Sequence, residues 1–436
     1  MKDIDWKAAT DEAIEYLSNL IQFNTVNPPG DELECAQYIA ELLSKEGIEP
    51  TVLESEPKRG NVVARLKGDG SKKPLLLMSH LDVVPADSSR WLVPPFSGEV
   101  QDGYLWGRGT LDTKQLTVMH LLAMFLLKRQ DAPLKRDIIF MANADEETGG
   151  KNGAEWMADN HFDMIEAEFA LNEGGSAMKM NGKTLFFCAN AEKGVAWMKL
   201  IALGRPGHGS MPHSDNATLH ISNAIQRISK YRSPIRVDDT FRGFTAALSK
   251  VDSRGHLLKL IGVPGLGRLL LRMVKDDFIK VMVQTTITPT VIKGGVKTNV
   301  IPDKCELRLD SRILPGVTQE EIKRLVLELA GSDKLRLEFE AFTEASESPI
   351  ATEMFSILED VVARNCPDAA VSPMMLPGGT DSRFVRVKGI PAYGFIPMIL
   401  ERDDIASIHG DNEKISIENL SFGVRMMFHI VAATCL

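Results

Sequence analysis

Pro74-Leu75-Leu76-Leu77-Met78-Ser79-His80-Leu81-Asp82 is an apolar run that ends in an imidazole and, two residues on, a carboxylate. Short apolar runs bounded by Gly, Pro or charged residues are how strands buried on both faces look. Residues 61–66, 137–142 and 168–171 have the same character. Between two of these runs, residues 114–128 carry Leu116, Met119, Leu122, Ala123 and Leu126 at helical spacing. Residues 31–45 predict an earlier helix, with Leu33, Ile39, Ala40 and Leu43 on one face. Asp31 and Glu34 would form its capping box and Gly47 would close it. Strand, helix, strand in this order predicts an α/β fold, a sheet between helical layers.

The texture changes after about residue 190. A strand is predicted over 195–203, and Cys305, Leu307 and Leu309 alternate with charged neighbours on another. Helical stretches lie at 217–231 and 256–274, and a helix over 318–330 opens on Thr318 and Glu321 as a capping box. Strand–helix–strand–strand–helix–strand order predicts a smaller α+β, ferredoxin-like unit with a half-exposed sheet. From residue 349 buried helices and apolar strands return, ending in a helix over 412–432. The expected organisation is one α/β domain in two parts, 1–192 and 349–436, interrupted by an inserted domain, 193–348.

Composition narrows the function. The 436 residues hold 50 Lys and Arg against 59 Asp and Glu, a net charge of −9, which argues against a nucleic-acid face. No run is long and apolar enough for a membrane span, and Met1-Lys2-Asp3-Ile4-Asp5-Trp6 does not read as a signal peptide. Five scattered cysteines, at 35, 188, 305, 366 and 435, suit a reducing cytoplasm better than a disulfide framework. A cytoplasmic enzyme acting on a small molecule or short peptide, with no nucleic-acid or membrane partner, is expected.

Ligand-type side chains gather at the ends of the predicted strands. His80 and Asp82 suit a metal-bound imidazole held by a carboxylate, or a capped turn beside an exposed histidine. Asp112, in Gly107-Arg108-Gly109-Thr110-Leu111-Asp112-Thr113-Lys114, reads by position as a helix N-cap. In Asn143-Ala144-Asp145-Glu146-Glu147-Thr148-Gly149-Gly150, two adjacent glutamates could divide metal binding from proton transfer, or simply form an acidic loop. Glu173 follows the 168–171 run with Gly174 and Gly175 behind it, and His409 sits in a polar loop. Together His80, Asp112, Glu147, Glu173 and His409 offer two imidazoles and three carboxylates. That set suits a pair of borderline cations, two zinc ions with cobalt or manganese as substitutes.

The motifs Ser79-His80-Leu81-Asp82-Val83-Val84-Pro85, Gly107-Arg108-Gly109 through Asp112 and Lys114, Glu146-Glu147 and Asn172-Glu173-Gly174-Gly175 resemble a family of dinuclear zinc hydrolases. That family holds the aminoacylases, acetylornithine deacetylase, succinyl-diaminopimelate desuccinylase and glutamate carboxypeptidase. Asn24-Thr25-Val26-Asn27-Pro28-Pro29-Gly30, Gly207-His208-Gly209-Ser210, Thr298-Asn299-Val300-Ile301-Pro302, Gly378-Gly379-Thr380-Asp381 and His409 extend the resemblance over nearly the whole chain. It implies a mixed-sheet, zinc-exopeptidase-like catalytic domain with a lid and dimerisation domain inserted, and a homodimer made through that insertion. Asp112 would bridge two ions, His80 and Glu173 holding one, Glu147 and His409 the other. Glu146 would be the general base, Asp82 the partner of His80, and His208 an oxyanion donor acting from the other subunit. Asn299, Arg312 and Gly378 would touch substrate, Arg312 as a carboxylate clamp; a surface ion pair is its plainer reading.

The implied reaction is metal-dependent hydrolysis of the amide of N-acyl amino acids, or of dipeptides and peptide C-termini, through a water shared by the ions. A desuccinylase-like or deacetylase-like enzyme is the alternative within the class. A non-catalytic metal-dependent binding protein on the same scaffold is the alternative outside it, although base and ligands are all present. Residues 238–285 exceed the compact family pattern and are similar to carboxypeptidase S-like and N-acyl-amino-acid hydrolase members. That stretch reads as domain or dimer packing, as a hydrophobic wall over the acyl side of the substrate, or as a membrane-surface contact. Pro264 and the acidic net charge speak against the last.

Overall fold

The computed structural model describes residues 3–436; Met1 and Lys2, where the first expected segment begins, lie outside the described residues. The large sheet runs in the order Pro50–Glu54, Gly60–Leu66, Ile138–Asn143, Leu75–His80, Phe169–Asn172, Ala392–Gly394 and Lys183–Glu192, with Ala369–Leu376 parallel to the last. Leu75–His80 pairs in parallel with both neighbours, His80 opposite Asn143 and Leu77 opposite Leu171. The carboxyl ends of three adjacent strands therefore leave the sheet at one edge, where ligands of open α/β sheets gather.

Alternation within the apolar run decides which layer each side chain serves. Leu75 and Leu77 join the core under the helices Trp6–Gln22, Lys114–Arg129, Glu353–Asn365 and Ile417–Cys435. Leu76 and Met78 point the other way, onto Met157, Ile165 and Val385. Lys114–Arg129 is buried all round from Lys114 to Leu127, as a helix covered on both sides must be.

The smaller unit has the expected strand–helix–strand–strand–helix–strand order. Its antiparallel sheet runs Thr286–Gly294, Lys304–Ile313, Gly194–Leu203, Leu335–Thr343. Ile221, Ala224, Ile228, Ile322 and Val326 of the helices Ala217–Lys230 and Gln319–Ala330 share a core with Met198, Leu200, Leu307 and Leu309.

Local differences have local causes. The Thr318–Glu321 capping box is present, but Leu33–Lys45 has no side-chain cap, because its N-cap is Glu32, whose carboxylate is held by Arg59 at 3.0 Å, while Asp31 one residue further out pairs with Lys58 at 2.8 Å. The last helix begins at Ile417, not at 412, since Lys414–Ser416 is a short strand against Tyr104–Trp106 and Ser416 caps the helix. The 256–274 stretch breaks into Arg254–Leu258, the 3-10 turn Lys259–Gly262 and Leu266–Met273, with Pro264 and Gly265 (φ 81°) at the break. The helix Asp239–Val251 turns back to the large sheet, where Phe241, Phe244 and Leu248 share a core with Leu185, Ala370 and Met375. Among the described residues no helix is long and apolar enough to cross a membrane.

Candidate metal centre

Each of the three parallel strands delivers one part of the site. His80 is the last residue of Leu75–His80, Glu146 and Glu147 follow Ile138–Asn143 after a short turn, and Glu173 follows Phe169–Asn172 directly. Asp112 comes from the loop ahead of Lys114–Arg129, and Thr113, not Asp112, occupies the N-cap position. His409 arrives from the C-terminal part of the chain, in a left-handed conformation with φ 59°.

Asp112 divides its two carboxylate oxygens between the imidazoles. Oδ1 lies 3.2 Å from His80 Nε2 and Oδ2 lies 3.0 Å from His409 Nε2. Glu173 stands 3.5 Å from His80 Nε2, and Glu147 stands 3.3 Å from His409 Nε2. The result is two trios sharing Asp112, each with ligand atoms within 4.8 Å of one another.

The surrounding charges are lopsided. Burial pushes the Glu146 carboxyl well above its usual range, and Glu173, Asp381 and Glu147 add to this against the pull of His80. Burial also raises Glu173 to about 7 and Asp381 to about 6. Hydrogen bonds to Asp112 and Glu147 raise His409 to about 10. Burial alone would lower the His80 imidazole, but Glu173, Asp112 and Asp82 outweigh it and hold it well above its ordinary value. Asp381 Oδ1 is buried without a hydrogen-bond partner among the described residues, and buried Glu147 Oε1 faces His409 Nε2 at 3.3 Å. Crowded buried carboxylates and two imidazoles fit divalent cations, whose charge would relieve the mutual repulsion.

Neighbouring polar groups hold the segments that carry the two trios. His80 Nδ1 lies 2.9 Å from the Asp82 carbonyl oxygen and 3.5 Å from its carboxylate, which fixes the ring. Asn27 donates to Asp82 Oδ2 at 2.8 Å and to Asp145 Oδ1 at 3.0 Å. Asp145 has φ 72°, a left-handed conformation stabilised by Arg59 at 2.8 Å and the Asn152 N–H at 2.9 Å. Buried Glu413 accepts the N–H groups of Gly109, Leu111 and Asp112 and pairs with Arg108. Asn143 donates to Asp381 Oδ2 at 2.5 Å. Sequence reading gave no role to Asn27, Asp381 or Glu413. The first two lay inside quoted motifs; Glu413 carried no signal beyond its nearness to His409.

The remaining candidates lie apart from this cluster. His208 is exposed, its Nδ1 2.7 Å from Ser210 Oγ, on a two-residue strand against Val300–Ile301. Asn299 is exposed beside it and its carbonyl accepts the Gly209 N–H at 2.8 Å. Arg312 is ion-paired with Asp310 at 2.8 Å. Gly378 lies half-buried between the Ala369–Leu376 strand and Asp381, with open space where a Cβ would stand. Among the described residues, no hydrogen bond or ion pair joins His208, Asn299 or Arg312 to the two trios.

Beyond Glu173 a cavity of about 830 Å³ extends from Gly174 and Ser176, lined by Met180, Phe187, Phe244, Leu248, Leu270 and Met374. Arg402 and Ile405, on the helix Arg402–Ser407 that leads to His409, close another side. Leu257 and Met273, 49% and 67% exposed, stand where it meets solvent.

This chain is similar in sequence and in fold to known proteins. The probable carboxypeptidase S-like 2 of Dictyostelium discoideum is 29% identical over 86% of this chain and 74% of its own length. The N-fatty-acyl-amino acid synthase/hydrolase PM20D1 of Xenopus tropicalis is 30% identical over 83% of this chain and 73% of its own. Among solved structures, the M20 family metallo-carboxypeptidase Sso-CP2 from Sulfolobus solfataricus superposes with a TM-score of 0.72 at 18% identity, covering 97% of this chain and 99% of that one. Residues 76–433 match the model of peptidase family M20/M25/M40, and the chain belongs to that family.

Proposed function

We propose that this protein hydrolyses the amide bond of N-acyl amino acids or of short peptides bearing a free carboxylate. The observation that carries the reading is the sharing of Asp112 between His80 and His409, with one further carboxylate on each side. His80, Asp112 and Glu173 would hold one ion and Glu147, Asp112 and His409 the other, zinc being the best match to two imidazoles with three carboxylates. When bound, the ions would lower the pKa of the attacking water and polarise the scissile carbonyl.

The chain's own groups do the rest. Glu146 stands outside both trios, and as carboxylate it takes a proton from water while the water oxygen adds to the carbonyl carbon. The same proton then goes to the amide nitrogen as the C–N bond breaks, leaving a carboxylic acid and an amine. Asp82 orients His80 and anchors the loop that carries Glu146. His208 would donate to the developing oxyanion from the partner of a homodimer built through residues 193–348, inserted between catalytic parts 1–192 and 349–436. Asn299, Gly378 and Arg312 are assigned to substrate, Arg312 exchanging Asp310 for the substrate carboxylate. The apolar cavity beyond Gly174 favours an apolar acyl group over succinyl. A cytoplasmic setting is supported by the five cysteines, all free.

The test pairs two variants. Glu146→Gln should keep metal and lose turnover, whereas Glu147→Ala should lose metal. Near-wild-type hydrolysis by Glu146→Gln would sink the base assignment, and metal-loaded, folded protein that cleaves no N-acyl amino acid or dipeptide would favour the binding-protein reading.

A further inference from the structure

The chain's negative net charge is not spread evenly. From Ser253 to Lys275 there is no Asp or Glu, while Arg254, Lys259, Arg268, Arg272 and Lys275 supply five positive charges. All five are exposed, and the nearest acids in sequence, Asp252, Asp276 and Asp277, stand outside the stretch. Buried Asp252 pairs with Arg254 at 2.6 Å, which leaves Lys259, Arg268, Arg272 and Lys275 as the unpaired cations of the stretch among the described residues; Asp276 caps the helix Asp277–Met282 and Asp277 pairs with Lys280 at 2.8 Å.

The same stretch leaves large apolar side chains in solvent. Leu257 is 49% exposed, Leu260 41%, Val263 43%, Leu269 56% and Met273 67%. They are not the inward face of these helices: Leu258, Ile261, Leu270 and Leu271 fill that role in the core against Phe244 and Leu248. The helix Leu266–Met273 thus buries Leu270 and Leu271 while Leu269 and Met273 face out beside Arg268 and Arg272. The break at Pro264, which rules out one long helix, leaves short segments that present exposed residues on both sides of the turn.

We propose that residues 254–275 form a contact surface for anionic lipid, the protein lying on the membrane without crossing it. Apolar side chains interleaved with Lys and Arg are what a headgroup boundary accepts, the former entering the acyl region and the latter pairing with phosphate. Continuity with the cavity adds an independent reason for this occupant. Leu257 and Met273 belong both to the exposed patch and to the cavity mouth. An apolar chain leaving a bilayer at this surface meets an apolar channel that runs to Gly174, next to Glu173. The contact goes beyond the hydrolase reading and does not depend on it, since lipid binding can be measured without turnover.

The experiment is co-sedimentation of the full chain with phosphatidylcholine vesicles, with and without phosphatidylserine, over a range of salt. Binding is expected to require phosphatidylserine and to weaken as salt rises. Arg268→Glu with Arg272→Glu should reduce the partition coefficient by at least about 25-fold, at roughly fivefold for each of the two cations lost. Leu269→Ser with Met273→Ser should weaken binding at every salt concentration, and Leu92→Ser, 81% exposed elsewhere, should not. The altered side chains are exposed, and an unchanged melting temperature verifies that each variant is folded. Absence of binding at low salt, or equal binding by wild type and both double variants, overturns the proposal. So does a wild-type dimer that ignores vesicles and dissociates in the Leu269→Ser, Met273→Ser variant, which assigns the patch to a second copy of the chain.

Discussion

The Asp82 carboxylate accepts the backbone N–H of Glu146 at 3.1 Å. Its other oxygen accepts the N–H of Glu147, also at 3.1 Å, so one buried side chain ties the end of the His80 strand to the loop of the neighbouring strand. Asp82→Asn places an amide donor against one of these N–H groups. Metal affinity should fall about 10- to 100-fold with the fold retained. Competition titration against a metal-binding dye measures this, and an unchanged affinity would remove Asp82 from the site.

Arg108 and Glu413 are both buried and pair directly, and Glu413 holds three N–H groups of the loop ending at Asp112. Arg108→Met leaves the Glu413 carboxylate buried without its cation and should cost about 3–5 kcal/mol. Adding Glu413→Gln should recover part of the loss, because a neutral amide needs no counter-charge. Urea unfolding of both variants decides it; a double variant no more stable than the single one contradicts the pairing argument.

Removing metal should lower the melting temperature, because the crowded carboxylates lose the cations that fit them. Ligand binding to the folded state alone adds about 2.7 kcal/mol at a hundredfold excess over Kd. Glu146→Gln should show the wild-type difference between metal-loaded and chelated protein, and Glu147→Ala a smaller one. Calorimetric scans with and without chelator check both, and identical scans for the wild type would argue against a metal site.

Lys193 joins the Lys183–Glu192 and Gly194–Leu203 strands and donates to the Gln284 carbonyl at 2.6 Å. Burial, with Arg312 adding to it, pushes its ammonium down to about 8 from 10.5. Below the folded value both states carry the proton, and the cost of burying the charge is fully present. As pH rises from about 8 towards 10.5 the folded state sheds its proton first, so that cost fades and stability from this group rises. Lys193→Met should flatten that slope, a difference on the order of 2 kcal/mol across the window. Unfolding free energies at several pH values measure it, and equal slopes would refute the shift.

The sheet was legible because Leu75–His80 and Ile138–Asn143 are buried on both faces, and a strand with no polar face leaves an unbroken apolar run. His80 and Glu173 stood out for the same reason, as ligand types at the ends of such runs. Asp112 was harder, since position alone made it a cap, and only the fold sets its oxygens between two imidazoles. Glu413 left no trace because its partners lie some three hundred residues earlier in the chain. The early start predicted for the last helix failed because sequence cannot show that Lys414–Ser416 finds a strand partner at Tyr104–Trp106.

The order of the candidate ligands along the chain gives synthesis a direction. His80, Asp112 and Glu173 have all been made before the first strand of the smaller sheet, Gly194–Leu203, so one trio has its full set of donors early. The other waits for His409, beyond that entire sheet. Glu413, which holds the loop carrying Asp112, comes later still, so neither trio has its full support until the polypeptide has been made nearly to its end.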